Sequence, residues 1–449
     1  MGVFRFFKYI KHIAKRTPYT ECKDETALVD ASQRICNCVI AIRGNGTDMT
    51  TKDGKITSYI FAIWSYALLL LRRGIKPHFI FDNPKTIDRK KVKVKERRDA
   101  KEKSQDICDN TDDKNSETFI KNFKRSFKLE KSYIEECQKL LTLMGIPFVI
   151  APEEADSQIA AMSEKWKCPA LTNDSDVLPY GAHSMWTEFN GKDKFITIIT
   201  KQNVLDEYKK MANLILHDLG RKQITEFKHE WLIDLCCFMG TDYDDGIRIK
   251  GLPFFSLLKL YVLNNFDGSR MLEYIEDAKK VECKDIKDIE KIIVPPNYLE
   301  IWKGARDVYL EAKIIDPDTL SNEIKRPDKE KLLELLCTVN EFDVKTMSSQ
   351  IDELTKFYEQ RNAPIDTRFA NFRSYQKKHL NQKSQKYPHP PTYEHKKTFE
   401  PQKRYDTFPA DTRTHYGNKY YYRYGSYPPA GSAYTRTHPN TTTRGFRTY

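Results

Sequence analysis

The sequence predicts an α/β fold with a mostly parallel central sheet flanked by helices, and two observations lead there. Short apolar runs alternate with helix-length amphipathic segments. Each of five runs ends in acid: TALVD at Asp30, HFIFD at Asp82, PFVIAPEEAD at Glu154 and Asp156, PALTNDSD at Asp174 and Asp176, and DLCCFMGTD at Asp242. Parallel strands present their carboxyl ends on one side of a sheet, so acids carried there from distant segments become neighbours. The seven carboxylates are therefore expected to form one acidic cup.

Taken in order, residues 25–95 read as strand, helix, strand: ALVD, a periodic helix from about Ile60 to Leu71, the turn GIKP, and the strand HFIFD. Such a βαβ crossover is right-handed and puts both strand ends on one side. From Arg89 to Arg98 the run RKKVKVKERR is densely basic, and residues 99–118 lack apolar periodicity and read as mobile or weakly helical. A helix resumes at FIKNFKRSFKLEKSYIEECQKLLTLMGIP, basic in its first half (Lys121, Lys124, Arg125, Lys128) and Leu/Met-striped in its second. Two basic helices thus lie between the second and third acids, where a substrate strand would be gripped. Strand, helix, strand recurs from Pro147 to Leu178; two helices then flank GTDYDDGIRIKGLP between Trp231 and Asn264, and helical segments continue to about Gln360.

The tail is of another kind. Over residues 370–449 there are 15 Lys and Arg against 4 Asp and Glu, so this stretch carries +11 of the net +12, along with twelve of the 25 tyrosines. With few aliphatics it has no core to bury and is predicted to be disordered. Basic residues interleaved with aromatics suit nonspecific binding to single strands, and a merely solubilising extension is the alternative.

Like charges about 4 Å apart repel by roughly 4 kcal/mol at an effective dielectric near 20, so an acidic cup needs counterions. Oxygen ligands without His or Cys favour Mg²⁺, with Mn²⁺ able to substitute, and a set this large suits two ions acting on a phosphodiester. The plainer reading is that these acids cap helices that follow strand-to-helix loops. Ten cysteines without a C-x-x-C pair read as reduced thiols of an intracellular protein, and no apolar run reaches the length of a membrane span. Gly2 invites myristoylation, but Phe6 stands where that signal needs Ser or Thr.

Read together, MGVFRFFKYI, ALVDAS, GIKPHFIFD, LLTLMGIPFVIAPEEAD, LTNDSD and GTDYDDGIR resemble, in content and spacing, the successive motifs of the flap endonucleases. These are structure-specific 5′ nucleases related to the xeroderma pigmentosum group G nuclease. The likeness spans about the first 360 residues, and IIVPPNYLE, IIDPDTLSNEIKRPDKEKLLELLC and the helix near Ser349 to Leu354 favour this branch. It implies an N-terminal nuclease region (1–98), a helical arch (99–132), an internal nuclease region with a helix-two-turn-helix element (133–360), and the tail (361–449). All seven family carboxylates have a counterpart, with Asp156 standing where Glu is usual. The family's arch Lys and Arg, which hold the scissile phosphate, fall on Lys90 with Arg97 or on Lys91 with Arg98, since either spacing keeps both on one helix face. Gly2, Arg43, Thr57, Lys124, Arg125, Lys128, Lys250 and Gly251 match positions that meet DNA.

Three departures stand out. Cys36 replaces a stacking tyrosine; Ile249, Lys250, Gly251 replace the Gly-x-Gly at which the family holds K⁺; and Lys52, Asp53, Gly54, Lys55 replace the acidic patch by the 3′-flap pocket. A sliding-clamp peptide is represented only by Gln360 and RNAPIDTRFANF, whose spacing is wrong. The resemblance implies an enzyme, probing as a monomer for branched DNA with a 5′ single strand, and cutting flaps endonucleolytically with 5′-to-3′ exonuclease activity in replication and repair. The expected location is the nucleus, or a host cell if the gene is viral. The alternatives are a 5′ exonuclease acting on DNA or RNA and a non-catalytic junction-binding scaffold.

Overall fold

The computed structural model describes residues 2–84, 88–187, 194–243, 248–280 and 291–362; the expected tail, beyond position 362, lies outside them. Seven strands make one sheet: β1 (Lys15–Pro18), β2 (Thr26–Asp30), β3 (Lys76–Phe81), β4 (Phe148–Ile150), β5 (Pro169–Leu171), β6 (Ser184–Thr187) and β7 (Phe195–Thr200). Their order is β1-β7-β6-β5-β2-β3-β4. From β6 through β4 all neighbours pair in parallel, whereas β7 is antiparallel to both β6 and β1. The predicted α/β class is thus found, with an antiparallel edge that the apolar runs did not foretell.

The chain lays β2, β3 and β4 outward in one direction, then returns to set β5 on the other flank of β2. That reversal is a topological switch point, and it opens a crevice at the carboxyl ends of β2 and β5. Asp30 ends one of these strands and Asp174 follows the other. Residue alternation sends neighbouring side chains to opposite faces of the sheet. Val29, Phe79, Phe81, Leu171 and Trp186 pack on one side, and Leu28, Ile80, Val149, Ala170 and Met185 on the other. Both faces are covered, which is why the strands read as continuous apolar runs.

The helices before the fourth strand are α1 (Phe6–Ile10), α2 (Ala31–Ile42), α3 (Ser58–Arg72), α4 (Lys91–Asp109), α5 (Glu117–Arg125) and α6 (Lys131–Met144). Those after it are α7 (Ala155–Trp166), α8 (Lys201–Asp218), α9 (His229–Met239), α10 (Phe254–Leu263), α11 (Gly268–Lys280), α12 (Tyr298–Leu310), α13 (Lys329–Leu333) and α14 (Val344–Asn362). Residues of α2, α3, α6, α13 and α14 share the first core, and those of α7 to α12 the second. No helix among the described residues is long and apolar enough to cross a membrane.

The arch region corrects two expectations. Residues 99–109, read as mobile or weakly helical, continue α4 without a break, so the anticipated boundary at residue 98 falls inside a helix. The whole helix, KVKVKERRDAKEKSQDICD, is rich in Lys, Glu and Arg, which favour helix without any apolar stripe. It adds i,i+4 contacts from Arg98 to Glu102 (3.3 Å) and from Gln105 to Asp109 (2.8 Å). Only the small residues Ser104 and Cys108 are buried, too weak a pattern to read by hydrophobicity. The second basic helix is not continuous either. It splits into α5 and α6 around Ser126 to Glu130, where Phe127 turns inward and Glu130 is extended.

The helix-two-turn-helix expectation corresponds to α9 and α10 with residues 240–253 between them. Within that loop Lys250 exchanges backbone hydrogen bonds with Ile293 (3.0 and 2.9 Å), so its carbonyl is already engaged. Gly251 has φ +77°, and a Cβ there would lie 2.0 Å from the Lys291 carbonyl oxygen. Gln360, the start of the weak clamp signal, sits in α14, and the residues that would complete that peptide lie outside the described ones.

Gly145 caps α6 with φ +71° and faces the Lys325 carbonyl, which a Cβ would approach to 2.1 Å. Its own carbonyl accepts from Lys325 N–H at 2.7 Å, tying the C-terminal segment to the turn before β4. Gly145→Ala combines left-handed strain with a backbone clash and is expected to cost about 1–3 kcal/mol. Thermal denaturation reads this as a lowered melting temperature, and unchanged melting would refute the packing role.

Candidate active site

Six of the seven acids arrive from strand ends and the seventh from a helix end. Asp30 is the last residue of β2 and caps α2, accepting from Gln33 N–H at 2.9 Å. Asp82 follows β3 and accepts from Ala155 N–H (2.9 Å), capping α7 from across the crevice. Glu154 and Asp156 sit at the start of α7. Asp174 caps the short 3₁₀ turn Ser175–Val177, which contains Asp176. Asp242 comes off the C-terminus of α9. Capping and convergence are therefore compatible: three of these acids hold a turn or helix while facing the crevice.

The carboxylates feel one another strongly. Burial pushes the Asp30 carboxyl well above its ordinary range, with Asp82 and Asp174 adding to the effect. Asp156 is raised by burial and by Asp174, Asp30 and Asp176; Asp176 by burial, Asp174 and Asp242. Burial also raises Asp174 and Glu154 against the pull of Lys90. Together these mutual influences join all seven acids into one cluster.

Two cations from the root of the arch reach into it. Lys90 pairs with Glu154, both nearly buried at 12% and 13% side-chain exposure. Burial works against its charge, but Glu154, Asp156 and Asp176 outweigh that and hold the ammonium more firmly than usual. One helical repeat on, Arg97 pairs with Asp242. Lys91 and Arg98 are exposed, pairing instead with Asp88 and Glu102. Of the two registers left open by the sequence, the structure brings Lys90 and Arg97 to the acids.

The chain start closes one side. Val3 N–H donates to Ser175 Oγ (3.1 Å), and Phe4 N–H donates to the Gly240 carbonyl (2.8 Å). A Cβ on Gly2 would stand 2.2 Å from Asp174 Oδ1, so only glycine passes there, at φ +83°.

Other expected contacts lie elsewhere. Arg43 and Thr57, anticipated at DNA, are interior. Arg43 donates to both oxygens of Asp48 (2.9 and 2.7 Å) and to the Phe123 carbonyl (2.9 Å), with Phe123 and Phe127 rings beside the guanidinium. It fastens α5 to the core. Thr57 caps α3 through its backbone, donating to the Met49 carbonyl at 2.8 Å. Lys124 lies 3.9 Å from the Cβ position of Gly44, Arg125 is exposed, and Lys128 bridges to Glu102 on α4 at 3.1 Å. Lys250 and Gly251 are exposed in their loop. Cys36 lies half-buried by the acids under α4; burial opposed by Lys101 leaves its thiol pushed up to about 11, so it stays protonated.

Sequence reading missed the floor of the site. Tyr180, Tyr243 and Tyr309 form an aromatic layer beneath the acids, with Tyr180 and Tyr243 hydroxyls bonded to each other and Tyr309 bonded to Asp176. Tyr243, adjacent to Asp242, and Tyr180, four residues after Asp176, carried a signal by proximity. Tyr309 carried none.

Among the described residues no group of three or more His, Cys, Asp or Glu side chains is already arranged to hold a metal ion, and Lys90 and Arg97 occupy oxygens of Glu154 and Asp242. The donor set nonetheless fits a hard divalent cation. Its groups are oxygen-only, their charge is undercompensated, and buried Asp156 Oδ1 has no hydrogen-bond partner.

Comparison with known proteins places this architecture. Residues 1–105 match the XPG N-terminal domain and residues 145–242 the XPG I-region. The catalytic core of Rad2, solved in complex with DNA substrate, aligns with TM-score 0.57 and 20% identity over 79% of this chain and 100% of that one. Flap endonuclease-1 from Methanococcus jannaschii aligns at 0.51 and 22% over 79% and 99%. These define an XPG-type nuclease fold. Flap endonuclease 1-A of Xenopus laevis is 30% identical over 333 residues, covering 73% of this chain and 78% of that protein. The chain belongs to the flap endonuclease family, and it is a structure-specific nuclease that hydrolyses phosphodiesters.

Two outcomes follow from the charges. An acid whose pKa is raised on folding contributes stability that is present below its unfolded value, near 4, and is lost as pH rises through the folded value. At pH 7 in EDTA, Asp156→Asn should therefore melt a few degrees above wild type, and Mg²⁺ should raise the wild-type melting temperature more than the variant's; a wild type that melts higher in EDTA would contradict this. Arg43→Ala strands Asp48 in the interior and is expected to cost about 3–5 kcal/mol in denaturant titrations, with stability near wild type as the contrary result.

Proposed function

We propose that this nuclease is a metal-dependent endonuclease that cuts 5′ flaps where a single strand meets duplex DNA, with accompanying 5′-to-3′ exonuclease activity. The observation that carries the reading is Lys90 and Arg97, set one above the other on the arch root and facing the seven carboxylates. A strand led beneath the arch meets these two cations first, and its phosphodiester replaces Glu154 and Asp242 as their partner. Lys90 and Arg97 then hold the phosphate against the acids and offset charge that grows on it during hydrolysis.

Asp30, Asp82, Glu154, Asp156, Asp174, Asp176 and Asp242 would hold two Mg²⁺ ions, with Mn²⁺ able to substitute. Bound there, the ions supply Lewis acidity for both the attacking water and the departing oxygen. Gly2 leaves room for the chain start beside Asp174, and Ser175 secures that start through Val3. The flap endonuclease name of the Xenopus relatives supports the substrate class. Action as a monomer in nuclear replication and repair, or in a virus-infected cell, belongs to the same proposal.

A second reading is favoured by Cys36, which stands where the family stacks a base on tyrosine: a 5′ exonuclease with less demand for a junction. A 5′-labelled flap distinguishes them, since one flap-length product marks endonucleolysis and mononucleotides mark exonucleolysis.

Asp174→Ala is expected to lower cleavage by at least about 10³-fold while flap binding persists, and Lys90→Ala or Arg97→Ala to slow single-turnover cleavage by about 10²-fold. Lys91→Ala should remain close to wild type. Full Mg²⁺-dependent cleavage by the Asp174 variant, or equal losses at Lys90 and Lys91, would overturn the assignment.

A further inference from the structure

Tyr309 belongs to α12, an element that contributes no carboxylate to the crevice, yet its hydroxyl donates to Asp176 Oδ1 at 3.1 Å across 133 positions of sequence. Its ring is fixed from two sides, by Tyr180 at 4.7 Å and edge-on by Tyr243 at 5.4 Å. The hydroxyls of Tyr180 and Tyr243 satisfy each other, which leaves the Tyr309 hydroxyl directed at the acid. A phenol carries its proton at neutral pH, so the group serves Asp176 as a donor.

The helix beneath is itself held in place. Trp302 stacks on Phe238 of α9 at 5.3 Å, and Arg306 donates to Asp234 of α9 at 2.8 Å. The helix that bears Tyr309 is thus fastened to the helix that delivers Asp242, and one hydroxyl transmits that rigidity to Asp176. A carboxylate rotates freely about its last bond unless something grips an oxygen; a fixed donor removes that freedom before any ligand arrives.

We propose that Tyr309 is a positioning residue whose hydroxyl holds the Asp176 carboxylate in the orientation that receives a divalent cation. The proposal rests on the metal-dependent reading above, and adds to it a residue from outside the acidic motifs. Tyr59 supplies an internal control. Its hydroxyl donates to Glu136 at 2.9 Å, the same kind of phenol–carboxylate pair, in the other core and away from the seven acids.

The experiment titrates Mn²⁺ into DNA-free full-length wild type, Tyr309→Phe and Tyr59→Phe by calorimetry and paramagnetic resonance, beside the Mg²⁺ dependence of single-turnover flap cleavage. For Tyr309→Phe, Mn²⁺ affinity is expected to fall about 10-fold, with a matching rise in the Mg²⁺ needed for half-maximal rate and unchanged flap affinity in Ca²⁺. Tyr59→Phe should lower the melting temperature in EDTA and leave Mn²⁺ affinity as in wild type. Equal Mn²⁺ affinity in Tyr309→Phe and wild type, or equal losses in both variants, overturns the positioning role while the metal-dependent reading stands. A wild type that binds no Mn²⁺ overturns both. Should Tyr309→Phe fail to fold, 3-fluorotyrosine placed at Tyr309 in an otherwise native chain gives the same answer by fluorine resonance: its signal must move with Mg²⁺ occupancy while one placed at Tyr59 stays still, and a stationary signal at Tyr309 refutes the proposal.

Discussion

Mutual repulsion among seven buried or half-buried carboxylates governs this molecule. The sheet brings them together because β2, β3, β4 and β5 run parallel and reverse direction of growth at β2, and α9 adds Asp242 from the other core. Nothing in the hydrophobic packing relieves the charge so concentrated. Relief comes from Lys90 and Arg97, drawn in from the arch, and from the backbone N–H groups that Asp30, Asp82 and Asp174 accept. The arch root is consequently bound to the crevice by the electrostatics of the crevice itself, and under the proposed mechanism gripping substrate and neutralising acid are alternative uses of the same two side chains.

How much of this the residues disclosed depended on the kind of interaction. Strand ends were legible because a buried parallel strand is an uninterrupted apolar run, and acids after five such runs recur too regularly for capping alone, which would account for any one of them. The helix α3 was legible for the same reason, being apolar on almost every side. Lys90 and Lys91 were not separable, since adjacent positions on a helix differ by about 100° and only the packing of the root decides which turns inward. The continuation of α4 through residue 109 was lost because its stability comes from helix propensity and charge pairs, while hydrophobic periodicity reports burial.

Arg43 shows a different failure. It was expected at DNA because it matches a family arginine, and nothing local revealed that Asp48 and two phenylalanines from the following arch segment would enclose it. Tyr309 lies at the far end of the same difficulty: its partner is 133 residues away, and a lone tyrosine in an amphipathic helix looks like core. Contacts made by single side chains between distant segments leave no periodic trace.

The wide scatter of the crevice along the chain has a bearing on biosynthesis. A ribosome releases Asp30 early, Asp242 more than half-way along, and the tyrosine beneath Asp176 later still, so an emerging polypeptide spends much of its synthesis with an incomplete hydrolytic centre. Degradation fragments are similarly disarmed, because no short piece holds every part. The crevice of this nuclease is in this way incomplete until the helix beneath Asp176 has docked.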